Sequence, residues 1–111
     1  MDREKIYKEA VKFRRYFHQH PEVSMKEFRT QAYIVEILKQ YQIAYTTYET
    51  GIIAILGEGK RCVALRADMD ALWVQEDTGL SFSSENPGVM HACGHDMHMA
   101  MLLGAALFLK A

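Results

Sequence analysis

Five side chains that can bind a metal ion or move a proton fall within eight positions: His91, Cys93, His95, Asp96 and His98. A thiolate and an imidazole are natural ligands for zinc and similar divalent ions. Cys93 and His95 are two positions apart. On a helix they would point to different sides, whereas a looped segment around Gly94 lets them converge, because glycine accepts bends that other residues resist. The cluster lies just before an apolar run that reads as a helix, and the N–H groups at a helix start favour an anionic group such as a thiolate. The spacing is not that of a structural zinc finger, since no second Cys/His pair sits nearby. Taken singly, each residue also has an ordinary reading: a lone cysteine as a small buried hydrophobe, a lone histidine as a hydrogen-bonded core or surface group. Crowding is what raises the chemical reading above the ordinary one.

A second cluster, Arg66-Ala67-Asp68-Met69-Asp70, ends an apolar stretch. Carboxylates at the end of a strand in an α/β sheet are well placed for a crevice site; the alternative is a solvated loop with two acids. His18, His20 and Glu22 flank a helix end, and capping and surface polarity account for them. Cys62, Trp73 and Phe82 read as packing residues.

These clusters need elements to hold them. Ile6, Ala10, Phe13 and Phe17 recur at helical spacing, and the pattern stops near His20 because Pro21 disfavours helix at the residue before it. Ser24 and Glu27 have capping-box spacing for a second helix with Phe28, Ala32, Val35 and Leu38 on its buried stripe. Residues 43–48 and 52–56 read as strands, Gly57–Lys60 as a turn, and Cys62–Ala67 as a further apolar strand, which suggests a sheet covered on both faces. Residues 68–90 are irregular, with Gly79, Pro87 and Gly88 marking loops. Met97–Lys110 is apolar on nearly every face and is expected to be the most buried helix. The order helix-helix-strands-helix fits a layered α/β or α+β unit.

The chain has 111 residues, half of them hydrophobic and 24% charged, with a formal net charge of −1. That is the size and composition of one globular domain. The charge offers no basic footprint for nucleic acid and no polybasic patch for a membrane. The longest apolar run, Met99–Leu109, is short of the roughly 20 residues a bilayer span needs. Two cysteines are too few for a disulfide scaffold, and the charged start, Met1–Lys8, has no apolar signal region. The expected location is cytoplasmic.

The chain resembles the aminoacylase-like metallo-amidohydrolases, a group that includes hippurate hydrolase, indole-3-acetyl-amino-acid hydrolase and N-acetyl-diaminopimelate deacetylase. The resemblance rests on Arg14-Arg15 through His18-Gln19-His20-Pro21-Glu22, on Ala64 to Leu72 (ALRADMDAL), and on Glu85 to Asp96 (ENPGVMHACGHD). It implies the N-terminal portion of a zinc-peptidase-like three-layer αβα catalytic domain occupying residues 1–111. It implies that Cys93 and His95 are metal ligands, the cysteine able to bridge two ions, and that Asp70 is the acid beside the metal. Asp68 lies where other branches place a metal-binding histidine; His98 falls at a variable position. Trp73 stands where proline is usual.

The resemblance further implies hydrolysis of the amide bond of N-acyl amino acids with two divalent ions, zinc, manganese, nickel or cobalt. The remaining ligands, a glutamate and two histidines, the catalytic glutamate base and the lid or dimerisation domain would lie beyond the sixteen residues that follow His95. Two other readings stand beside this one: a catalytically inactive truncated fragment, and a small metal-binding or interaction module. The expectations are that Cys93 and His95 point into one shared cavity near Asp70, that exposed apolar faces drive self-association, and that the 111-residue chain alone does not hydrolyse its substrate.

Overall fold

The computed structural model describes residues 1–110. Their elements run α1 (Arg3–Gln19), α2 (Phe28–Gln40), β1 (Ala44–Tyr48), β2 (Gly51–Ile55) and α3 (His95–Lys110). This is the expected helix-helix-strands-helix order of an α/β unit.

Helix α1 begins where Asp2 accepts the Lys5 N–H at 2.8 Å, satisfying one of the free donors of the first turn. It ends at His20, before Pro21, as the sequence predicts. Its apolar face carries Phe13 and Phe17, which are 2% and 1% exposed. They meet Ile34, Ile37 and Leu38 of α2 and Met99, Ala100, Leu103 and Leu107 of α3 in one core. Tyr16 of α1 stacks on Tyr33 of α2 at 3.6 Å between ring centres. Helix α3 lies against α1 at Gly104, where a Cβ would sit 3.6 Å from Ile6 and 3.7 Å from Ala10, so the two backbones approach closely there.

The start of α2 differs from expectation. No capping box forms between Ser24 and Glu27, and Glu27, at the N-cap position, makes no side-chain cap. Glu22 takes the role instead: its carboxylate accepts the Thr30 N–H at 2.6 Å, the Thr30 hydroxyl at 2.8 Å and the Arg29 N–H at 3.3 Å. Met25, at φ 66°, turns the chain back so that Glu22 reaches the helix start. A charged acceptor placed by the fold outcompetes a nearer neutral one.

Strands β1 and β2 pair antiparallel with Ala44 opposite Ile55 and Tyr48 opposite Gly51. Gln31 of α2 braces the turn, its side-chain amide donating to the carbonyls of Glu49 and Gly51. The predicted strand at Cys62–Ala67 is not formed; the segment pairs with no other, with Val63 94% exposed and Leu65 66% exposed. A strand exists through its neighbour's hydrogen bonds, and no described segment lies beside this one as a partner. Cys62, read as core, is exposed for the same reason. The sheet is not covered on both faces either, since Ile53 and Ile55 are largely exposed.

Helix α3 is the most buried of the three, with Asp96, Met99, Ala100, Leu103, Gly104 and Leu107 inside. Its other face is not: Met97, Met101, Phe108 and Leu109 are all about half exposed or more. Uniform apolarity predicted burial all round, but α1 covers one side only. Among the described residues, no helix is long and apolar enough to cross a membrane.

Candidate metal centre

The segment that carries the chemistry, residues 91–98, is a turn running into α3. Gly94 sits at φ 107°, a region in which side-chain-bearing residues are strained, and this bend separates Cys93 from His95. His95 is the first residue of α3.

His95 is fixed by the 68–70 segment. Its Nδ1 lies 2.9 Å from the Asp70 carbonyl and 3.0 Å from an Asp70 carboxylate oxygen. Both of those oxygens can only accept, so Nδ1 carries the hydrogen and the Nε2 lone pair is left for a ligand. A carboxylate or carbonyl behind the far nitrogen is the arrangement that orients metal-binding histidines. Asp68 is further away, 3.9 Å from His95 Nε2, and is held by Arg66 at 2.9 Å.

Cys93 is a free, exposed thiol. It lines a cleft of about 490 Å³ together with Arg14, Thr78, His91, Met97 and His98. His95 and Asp70 are not on that lining. The His95 ring lies 5.9 Å from that of His98, which does line the cleft.

His91 is 4% exposed, and neither ring nitrogen has a hydrogen-bond partner. Burial disfavours the charged ring and pulls its pKa down to about 4, so the imidazole is neutral at pH 7 and offers a lone pair. A buried imidazole without partners on the wall of a cleft that also holds a thiol is a donor set suited to a borderline divalent ion. The side chains present fit such an ion in kind: Cys93, and His95 with a free Nε2. They do not close around one, for among the described residues no three His, Cys, Asp or Glu side chains are grouped to hold a metal. A catalytic zinc site takes three protein ligands, more than Cys93 and His95 offer between them.

Asp96, counted among the metal-competent residues from sequence, has another task. It is 1% exposed and receives Arg14 Nε at 3.0 Å, with His18 Nδ1 2.8 Å away. His18 Nε2 lies 2.9 Å from Glu76. His18 is therefore no surface or capping residue: it is 2% exposed, with a carboxylate at each ring nitrogen. Burial alone would raise the Glu76 pKa, but hydrogen bonds from the Thr78 hydroxyl, the Ser84 N–H and His18, with the charge of His18, bring it down to about 2. Phe82 covers the group, its ring 5.1 Å from the Arg14 guanidinium and 5.0 Å from that of Arg15. Sequence reasoning missed this network. Arg14 and His18, four apart on one helix face, were its only local signal; the partners lie 58 to 82 residues away.

Residues 64–111 match the model of peptidase family M20/M25/M40. The chain is 50% identical over 109 residues to an N-acetyl-L-cysteine deacetylase of Bacillus subtilis, covering 95% of this chain and 26% of that protein. It is 46% identical over 100 residues to an N-acetyldiaminopimelate deacetylase of Exiguobacterium sibiricum, covering 86% of this chain and 27% of that one. Its fold superposes on the crystal structure of the Bacillus subtilis YXEP protein, a dinuclear metal-binding peptidase from the M20 family. The TM-score is 0.89 at 39% identity, over 96% of this chain and 32% of the other. The chain thus spans about a quarter of the length of the curated relatives it matches.

Proposed function

We propose, from the premise that this chain belongs to peptidase family M20/M25/M40, that it forms part of an enzyme hydrolysing the amide bond of N-acyl amino acids with bound divalent ions. The observation that carries the reading is the His95–Asp70 contact, which leaves Nε2 free one glycine away from the Cys93 thiol. Cys93 and His95 are the ligands this chain contributes. Asp70 holds the His95 ring and its tautomer, and acts on the reaction through that ring. When bound, such ions supply Lewis acidity to hydrolysis. Of zinc, manganese, cobalt and nickel, manganese is the least suited to this thiolate and imidazole pair.

The same geometry supports the second reading, that residues 1–111 are inactive alone. Amide hydrolysis needs a general base within hydrogen-bond reach of the reacting water. The carboxylates nearest the cleft are engaged elsewhere: Asp96 with Arg14 and His18, Glu76 with His18, Thr78 and Ser84.

The test is a chimera in which residues 1–111 replace the matching segment of the Bacillus subtilis N-acetyl-L-cysteine deacetylase, assayed on N-acetyl-L-cysteine with added metal. The expected result is turnover that disappears in Cys93→Ser and His95→Ala, and none from residues 1–111 alone. A folded, metal-loaded chimera without turnover overturns the proposal. Metal-dependent turnover by the 111-residue chain itself overturns the second reading.

A further inference from the structure

The turn that holds Cys93 and His95 has little rigidity of its own. Gly94 lies between them, and no backbone ladder spans residues 92–94. Asp70 holds the His95 ring, and the next residue ties the start of α3 to α1. Asp96 Oδ1 accepts the Met97 N–H at 2.9 Å, while Oδ2 meets Arg14 and His18 of α1. The other nitrogen of His18 meets Glu76, whose second oxygen accepts the Ser84 N–H at 2.7 Å. One imidazole thus joins α1, the start of α3 and the 76–84 loop. The His18, Asp96 and Glu76 side chains are each 3% exposed or less, so water does not compete for these contacts.

We infer that His18 is a positioning residue: by linking Asp96 to Glu76 it holds the 93–95 turn in the shape that sets the Cys93 thiol on one side of Gly94 and the oriented His95 ring on the other. The inference about shape stands on these contacts alone; its consequence for metal affinity rests on the reading of Cys93 and His95 as ligands. An ion pair that merely stabilised the fold would lower global stability and leave the turn unchanged in molecules that remain folded. A positioning residue moves the turn itself.

The experiment uses the 111-residue chain with Cys62→Ser, so that Cys93 is the only thiol. Without metal, amide hydrogen exchange over residues 92–99 and the alkylation rate of Cys93 are measured. Cobalt(II) is then titrated in, followed by its thiolate absorption. His18→Gln is compared with Leu107→Ala, which loosens the core three turns further along α3. The expectation for His18→Gln is faster exchange over residues 95–98, altered Cys93 alkylation and cobalt affinity weakened by about tenfold or more, the scale seen when outer-shell partners of metal ligands are removed. Leu107→Ala, at comparable loss of stability, should leave all three at wild-type values. Equal shifts in the two variants, or none in His18→Gln, overturn the inference. Should His18→Gln fail to fold, Glu76→Gln removes only the outer contact and should shift the same readouts less; no shift there overturns it equally. If the unsubstituted chain takes up no cobalt through Cys93, the ligand reading fails by itself, and exchange and alkylation still decide on His18.

Discussion

His18 and His91 are buried to nearly the same degree, 2% and 4% exposed, and the structure treats the two rings in opposite ways. Each nitrogen of His18 meets a carboxylate, and the group closes with Arg14. Neither nitrogen of His91 meets anything. The first ring sits where three segments join and locks them. Both rings are on the lining of the cleft that holds Cys93 and His98, but only the second lies in the 91–98 segment itself. Burial by itself does not say what a polar residue is for. Its partners do, because a buried polar group costs about 1–3 kcal/mol when unpaired and only a paired one adds stability.

The largest effect expected from this contrast is at His18. Alanine there leaves Asp96 and Glu76 as buried carboxylates without their shared partner, a change that costs about 3–5 kcal/mol. Urea denaturation measures it; a loss below about 1 kcal/mol, the usual worth of an exposed pair, would show that water reaches the network. Glu76→Gln should cost less, about 2 kcal/mol at neutral pH, the scale of hydrogen bonds to a charged group.

Acid separates the same two sites. The Glu76 pKa is lowered to about 2 from 4.5, so its contribution is fully present above pH 4.5 and is lost as pH falls toward 2. The stability gap between wild type and Glu76→Gln should therefore close over that range. The His91 pKa is lowered to about 4 from 6.5. Between those values the unfolded chain takes up a proton that the folded chain refuses, so wild type should lose stability relative to His91→Leu as pH falls from 6.5 to 4. A gap with His91→Leu that stays constant across that range would mean the ring is solvated.

Smaller effects sharpen the rule that partners decide. Glu22→Ala should cost about 1 kcal/mol, the usual worth of a helix cap, while Ser24→Ala should change stability by less than about 0.5 kcal/mol. A larger loss at Ser24 would restore the capping box. The one gain is expected at neutral pH in His91→Leu. Removing a buried polar group that has no partner recovers part of its desolvation cost, about 1 kcal/mol, and thermal unfolding reads it. A clear destabilisation there would reveal a partner for one of its nitrogens.

The sequence by itself determined what depends on local spacing. The Pro21 stop, the apolar stripe of α1, the two strands β1 and β2 and the helix after Gly94 follow from propensity and period, which act over a few residues. The crowding of His91, Cys93, His95, Asp96 and His98 within eight positions was legible as well, because ligand chemistry is a matter of residue type. What only the tertiary structure decided depends on residues far apart in the chain. Val63 and Leu65 have the composition of a strand, but a strand is defined by its partner. Glu22 rather than Ser24 caps α2 because a turn at Met25 brings it there. Asp96 left the candidate ligands, and His18 and Glu76 entered the site's support, through contacts 58 and 78 residues apart along the chain. No periodicity encodes such a contact, since it exists only once α1, α3 and the 76–84 loop have packed and excluded water from between them.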